Sequence, residues 1–182
     1  TDQNKSRRIE TLAALCKLFT QNSQRDSLAP YASELAAIAD PGSRFKALAL
    51  YYQAHSFYRS DTAKFFQYTE ESIIMCRENN YREILALNFL GLGVKLRTLN
   101  RYNRAAAPLI EGLESIKEIN SKEADEIRAD IFSLLSAIYH NQGNYTQALE
   151  YGLEGLRFAE FLNDKSRKVK SYNNLSGVYG EL

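Results

Sequence analysis

The sequence has almost no net charge. Its 23 Lys and Arg are matched by 22 Asp and Glu, which leaves +1 at pH 7, with pI ≈ 7.6. A nucleic-acid module carries a basic excess, so no nucleic-acid partner is expected. No run of about 18 apolar residues occurs, so no segment is expected to insert into a membrane. The chain opens on the polar stretch TDQNKSRR, which is not a signal peptide. Beginning at Thr1 and stopping at Leu182, it reads as an excised fragment or a processed form. Cysteine is nearly absent. Cys16 and Cys76 each lie in an apolar helical pattern and read as buried free thiols, since a disulfide framework is denser. They point to a reducing, cytoplasmic location; the alternative is the periplasmic sensor region of a membrane-anchored protein.

Chemistry-bearing residues are equally sparse. His55 and His140 are the only histidines, and no further ligands stand at short spacing to complete a metal site. Cys16 has no reason to meet either histidine, so a Cys–His nucleophile pair is not expected. Gly91-Leu92-Gly93 resembles the start of a dinucleotide fingerprint, but no strand precedes it and the third glycine is missing. No catalytic residue, metal or cofactor is expected, and the chain reads as non-enzymatic. Glu70-Glu71, and Glu123 with Asp125-Glu126, fall on expected solvent faces. Lys165, Arg167, Lys168 and Lys170 read as a solvated basic turn; the alternative is a patch for an acidic partner.

What the sequence does contain is helical periodicity. Ile9, Leu12, Leu15, Cys16 and Phe19 repeat at the 3–4 spacing of a helix from Asn4 to about Gln21. A second helix follows over 27–39, with Pro30 in its first turn, and Asp40-Pro41-Gly42 ends it. Further helices are expected over 43–59, 61–78, 82–99, 101–119, 121–141, 145–162 and from 164 to the chain end. Ser60-Asp61 offers an N-cap for the fourth. Pro108 predicts a kink or a late start in the sixth. No stretch alternates with period two, so the fold class is all-α, about nine helices. Connections of two to four residues make sequential antiparallel hairpins.

The hairpins repeat. Leu92-Gly93, Leu135-Ser136 and Leu175-Ser176 are equivalent pairs in first helices, and Ser72-Ile73, Gly112-Leu113 and Gly155-Leu156 in second helices. The spacing is 43 then 40 in one series, 40 then 43 in the other, by subtraction of those residue numbers. A period near 40 with one helix-turn-helix per copy indicates a right-handed α-solenoid. Expected units are a capping pair over 1–42, repeats over 43–80, 81–120 and 121–163, and the first helix of a truncated repeat over 164–182, all in one repeat domain.

Leu135-Ser136, Tyr139, Gly143, Tyr145, Ala148 and Gly155 follow a recognisable order: Leu-small-x-x-Tyr, then Gly-x-Tyr-x-x-Ala, then a small residue. In this the chain resembles the tetratricopeptide repeat family. Phe132 stands where that family often has Trp. Phe89, Leu92-Gly93, Tyr102 and Ala105 repeat the order upstream, with Leu96 where Tyr is usual, and Tyr172, Leu175, Ser176 and Tyr179 begin another copy. The likeness is strong over about 89–182 and weak before 61. The repeats are longer than the usual 34 residues, as in the sensory arrays of bacterial signalling regulators. Small residues at Gly93, Ser136 and Ser176 are expected where the helices of a hairpin nearly touch. Tyr139, Tyr145 and Ala148 are expected to fill the wedge before the next hairpin.

That resemblance implies a concave surface lined by first helices. The inward positions chosen for partner contact are Leu50, Phe57, Leu87, Leu90, Val94, Arg97, Asp130, Ser133, His140, Lys170 and Asn173. The expected groove is apolar in its first half and polar in its second. An apolar groove invites a partner segment; the carboxylate clamp of some family members is disfavoured because Leu50, Leu87, Leu90 and Val94 occupy its positions. The expected function is a protein- or peptide-binding scaffold in a larger signalling protein, such as a histidine kinase, a diguanylate cyclase or a transcription regulator. The alternative is self-assembly through an open C-terminal end exposing Tyr172, Leu175, Val178 and Tyr179.

Overall fold

A computed structural model describes residues 2–181 (for Asp26, the backbone only). The expectations attached to Thr1 and Leu182 lie outside the described residues. Among the described residues there are nine helices and no strands. They are α1 (Asp2–Gln21), α2 (Arg25–Ile38), α3 (Arg44–Ser56), α4 (Thr62–Glu78), α5 (Arg82–Thr98), α6 (Tyr102–Ser115), α7 (Lys122–Asn141), α8 (Tyr145–Phe161) and α9 (Lys165–Tyr179). The chain divides into two compact units, Thr1–Asn88 and Phe89–Leu182, and the division falls inside α5.

The helices start and stop by two recurring local devices. Side chains of Ser43, Asp61, Ser121, Asn144 and Asp164 accept hydrogen bonds from backbone N–H groups three residues on, satisfying donors that the first turn leaves open. At the other end, Ser23, Asn80, Asn100, Gly143 and Asn163 have φ between 51° and 74°. In each case the next residue's N–H bonds the carbonyl five back: Gln24 to Phe19, Tyr81 to Cys76, Arg101 to Leu96, Asn144 to Tyr139, and Asp164 to Ala159, at 2.9–3.0 Å. This left-handed closure reverses the chain within two residues.

Helix α6 ends differently. It stops at Ser115 rather than near Ile119, and no left-handed residue closes it. Arg128, a turn and a half into α7, donates to the carbonyls of Ile116, Lys117 (3.2 Å) and Ile119 (2.8 Å) instead. Asp125, expected on a solvent face, is half-buried and pairs with that guanidinium at 2.6 Å. Other boundaries shift by a few residues. The second helix begins at Arg25, so Pro30 lies in its second turn, not its first. Helix α3 ends at Ser56 rather than Arg59, and α9 at Tyr179 with Gly180 as its C-cap. Helix α6 starts at Tyr102, so Pro108 sits inside it and delays nothing; it supplies no N–H to the Arg104 carbonyl.

In the first unit, α1 presents Ile9, Leu12, Ala13 and Cys16 to Leu28, Ala32 and Leu35 of α2. Helix α3 lies in the middle. Seven of its residues are buried (Ala47, Ala49, Leu50, Tyr51, Tyr52, Ala54 and His55), and it packs on α1, α2 and α4. A helix covered on several sides loses the one-sided polarity of a surface helix. Ser72 of α4 donates to the Ala47 carbonyl at 3.0 Å and accepts from Asn88 at 2.9 Å, so the polar groups inside are bonded to one another. Burial pushes the Cys16 thiol up to about 12 and the Cys76 thiol up to about 11, so both stay protonated.

In the second unit, α7 is central and packs on α6, α8 and α9. Helix α8 buries only small residues: Ala148, Gly152, Gly155 and Ala159. A Cβ on Gly155 would stand 3.1 Å from the Ser133 backbone nitrogen, and one on Gly152 would stand 2.7 Å from Leu175. Gly93 meets Leu109 of α6 at the same 2.7 Å, as a closely packed hairpin requires. Ser136 is likewise at a contact, donating to the Ala148 carbonyl at 2.7 Å. Ser176, by contrast, is exposed.

Tyr139 departs from its expected place. It stacks on Tyr151 of its own hairpin at 5.4 Å, in a row of rings that continues through Phe132 to Phe158. Tyr145 reaches both ways: its ring lies 5.8 Å from His140, and its hydroxyl lies 3.4 Å from a Glu181 carboxylate oxygen. The C-terminal surface is also narrower than expected. Leu175 and Val178 are buried, whereas Val169, Tyr172 and Tyr179 are each more than half exposed. The reason is that α9 packs on α7 as well as on α8.

Candidate functional site: a cleft along three helices

In the second unit, an open cleft of about 490 Å³ runs along α5, α7 and α9. Leu90, Val94 and Arg97 form the α5 wall. Asp130, Ser133, Leu134 and Ala137 come from α7, and Ser166, Val169, Lys170, Asn173 and Asn174 from α9. Within each set the residues recur three or four apart, with 133/134, 169/170 and 173/174 as adjacent pairs, so each is one face of its helix. Neither α6 nor α8 contributes to the lining. Leu90, Val94, Leu134, Ala137 and Val169 are its apolar lining; polar groups stand among them.

Asp130 is the electrostatic centre. Arg167 Nη2 donates to its Oδ2 at 2.8 Å, and Lys170 Nζ lies 3.8 Å from its Oδ1. Arg167 also donates to Asp164 at 2.6 Å. Arg167 was expected in a solvated turn but is half-buried. Burial acts to lower its pKa, but bonds to Asp130 and Asp164 and their charges outweigh this and raise it. The Asp164 carboxyl is held below its ordinary value, first by the Arg167 backbone N–H, against a smaller opposing effect of burial. Asn174 donates to both the carbonyl (2.8 Å) and the hydroxyl (3.0 Å) of Ser133, joining α9 to α7 a second time.

Seven of the expected contact residues line this cleft: Leu90, Val94, Arg97, Asp130, Ser133, Lys170 and Asn173. His140 does not. It lies a turn beyond Ala137, its Nε2 buried and without a hydrogen-bond partner among the described residues, 3.6 Å from where a Cβ on Gly177 would stand. The remaining three lie in the first unit, where packing occupies them. Leu50 is only 8% exposed, so it offers no open surface as it stands. Phe57 follows α3 as its C-cap and stacks on Tyr68 at 5.8 Å, with the Lys64 ammonium over it. Leu87 packs against the α1–α3 core. Ala47 and Ala54, on the same face of α3 as Leu50, are fully buried.

Nothing matches this chain among family models, curated proteins or solved structures. Its chemistry therefore rests on its own residues. Among the described residues no three of His, Cys, Asp and Glu converge as a metal site would need, and no helix is long and apolar enough to cross a membrane.

Ala137 with Leu134, Ser166, Val169 and Asn174 completes the lining, and the last four were not singled out in the sequence. Each lies one, three or four residues from one that was, so extending every chosen position by a helical turn along the same face would have found them. His55 sits apart from the cleft, in the first unit. It is enclosed by Tyr51 (4.4 Å), Phe65 (6.1 Å) and Tyr58 (6.3 Å), and Arg25 lies over the Tyr58 ring at 3.8 Å. Burial, with a smaller effect from the Arg25 charge, pushes its pKa down to about 3.

Proposed function

We propose that this chain is a non-enzymatic scaffold that binds a protein or peptide segment. On this reading the helices form a right-handed solenoid of tetratricopeptide-like hairpins, serving as the sensory or regulatory region of a bacterial signalling protein. The observation that carries it is the cleft. One face of each of three alternate helices meets in a single open surface, while the helices between them face elsewhere. A solenoid produces such a surface because each hairpin contributes the same helix to the same side. Several tertiary links also recur at the expected period: Tyr81 to Gly42 and Gln142 to Asn103 at 39 residues, Arg167 to Asp130 at 37, Asn174 to Ser133 at 41.

The test is a selection of displayed random octapeptides on the whole chain, counter-screened against Leu90→Asp. Leu90 is half-buried in the cleft wall, so the aspartate changes the surface without opening a core. Peptides retained by the parent and lost by the variant, at equal helicity by circular dichroism, are the expected result. No enrichment, or equal enrichment on both, rejects the cleft as the binding site.

A second reading, self-association, is favoured by Val169, Tyr172 and Tyr179 on α9, which are 59%, 53% and 59% exposed. Sedimentation over a wide concentration range decides it; a strict monomer removes it.

A further inference from the structure

Two helix faces in the second unit are built alike, and only one of them is covered. On α7, Phe132, Ser136 and Tyr139 recur at helical spacing and receive α8. Phe132 stacks on Tyr151 at 6.2 Å and on Phe158 at 5.7 Å, and Tyr139 stacks on Tyr151 at 5.4 Å. Between those rings Ser136 donates to the Ala148 carbonyl, and its Oγ lies 2.9 Å from where a Cβ on Gly152 would stand. At positions 40 residues further on, α9 carries Tyr172, Ser176 and Tyr179. All three are exposed, the two tyrosines by more than half. None of them lines the cleft.

The covered face shows what fits such a surface. Its rings stand out from α7, and α8 comes close because it sets Ala148, Gly152 and Gly155 toward them, four and then three residues apart. Larger residues there would hold the axes apart. The contact of α5 with α6 follows the same plan. Gly93 meets Leu109, 16 residues on, just as Ser136 meets Gly152, 16 residues on. A second α9 is a poor match for the open face. It would set Tyr172 and Tyr179 against the same bulky rings, with Ser176 as the one small residue between them.

We propose that Tyr172, Ser176 and Tyr179 form a docking face for an amphipathic helix of a partner protein. That helix presents Ala or Gly at i, i+4 and i+7, with an aromatic residue beside the stripe, as α8 does toward α7. Its ring stacks on the two tyrosines, and Ser176 leaves room for its backbone. This goes beyond the cleft and does not depend on it.

The probe is a fluorescent peptide copying α8, Tyr145–Phe161, added to the whole chain and read by anisotropy. Saturable binding is expected, with a gain of helicity on mixing, since a peptide of that length is mostly unfolded alone. A peptide carrying Ala148→Leu, Gly152→Leu and Gly155→Leu is expected to bind at least about tenfold more weakly. Ser176→Leu in the chain is expected to weaken the original peptide by a similar factor. Because Ser176 is exposed, the leucine disturbs no packing in the free protein, and its helicity stays unchanged. A generally sticky surface would bind Ser176→Leu more tightly, not less. Leu90→Asp, in the cleft, is expected to bind the peptide as the parent does.

Absence of saturable binding, equal binding of the leucine peptide, or undiminished binding to Ser176→Leu overturns the proposal. Loss of binding on Leu90→Asp places the peptide in the cleft and overturns it too. A dimer in sedimentation that Ser176→Leu dissolves makes a second copy the occupant, with the same result. Failure of the cleft to select peptides leaves this docking face untouched.

Discussion

Arg167 of α9 donates to Asp130 of α7 at 2.8 Å across a separation of 37 residues. The pair joins two helices that line the same cleft, and each side chain is about three-quarters covered. A half-buried, hydrogen-bonded pair contributes more than a surface one, because less of it is screened by water. Replacing Asp130 by Ala leaves Arg167 with Asp164 alone, and the expected loss is about 1–2 kcal/mol in urea unfolding. A double-mutant cycle with Arg167→Met isolates the coupling; a value near zero shows that the two residues act independently.

Arg128 substitutes for a helix-ending turn. Its guanidinium serves the carbonyls of Ile116, Lys117 and Ile119 while paired with Asp125. Arg128→Ala strands those acceptors at the α6–α7 junction and is expected to cost about 1–3 kcal/mol. Arg128→Lys is expected to recover only part of that, since one ammonium cannot reproduce a planar fork. Thermal unfolding of the three proteins checks the order; a lysine variant as stable as the parent contradicts it.

Asn100 has φ 56° and closes α5. Glycine adopts that conformation without strain, whereas alanine pays about 1 kcal/mol or more. Asn100→Gly is therefore expected to match or exceed the parent in stability, and Asn100→Ala to fall below it. Gly93 is the opposite case, a glycine kept for space in a helix. Gly93→Val drives side-chain atoms into Leu109, where even a Cβ stands at 2.7 Å, and is expected to lose about 1–3 kcal/mol by overpacking. Urea midpoints of the three variants test both statements.

His55 makes stability depend on pH. Its folded pKa is pushed down to about 3, below its ordinary 6.5. Between those values the unfolded chain binds a proton that the folded chain does not. Its contribution is intact above about pH 6.5 and is lost as pH falls toward 3, with a slope of up to about 1.4 kcal/mol per pH unit. Arg25 is the charged group near it, and Tyr51 and Tyr58 are the titratable ones in ring contact or beside it. His55→Leu is expected to flatten the profile between pH 6.5 and 4 relative to the parent, as read by urea unfolding at several pH values. Parallel profiles would mean that protonation of His55 is not coupled to folding.

Helix number, order and most boundaries were legible in the sequence because they depend on neighbours within a turn: apolar spacing, caps such as Asp61 and Ser121, and turn residues such as Asn80 and Gly143. The close contacts at Gly93 and Ser136 were legible too, since only a small residue leaves room there, whereas Ser176, chosen on the same ground, is exposed. Less legible were Pro30 and the end of α6, where a local rule met a distant partner or another start. Of the candidate site, the positions on α5, α7 and α9 followed from helical phase. Leu50 did not, since phase says which residues share a face and not whether that face is covered.

By itself, then, the sequence determined an all-helical chain and small-residue positions, such as Gly93 and Ser136, at which helices come close. Those are properties of residues three or four apart along one chain, and they can be counted. Only the tertiary structure decided that α3 is enclosed, that Leu175 and Val178 turn inward while Tyr172 and Tyr179 do not, and that Arg167 leaves its basic neighbours to hold Asp130. Each of those outcomes depends on which surfaces meet, and burial and ion pairing are set by the groups on the other side of the contact.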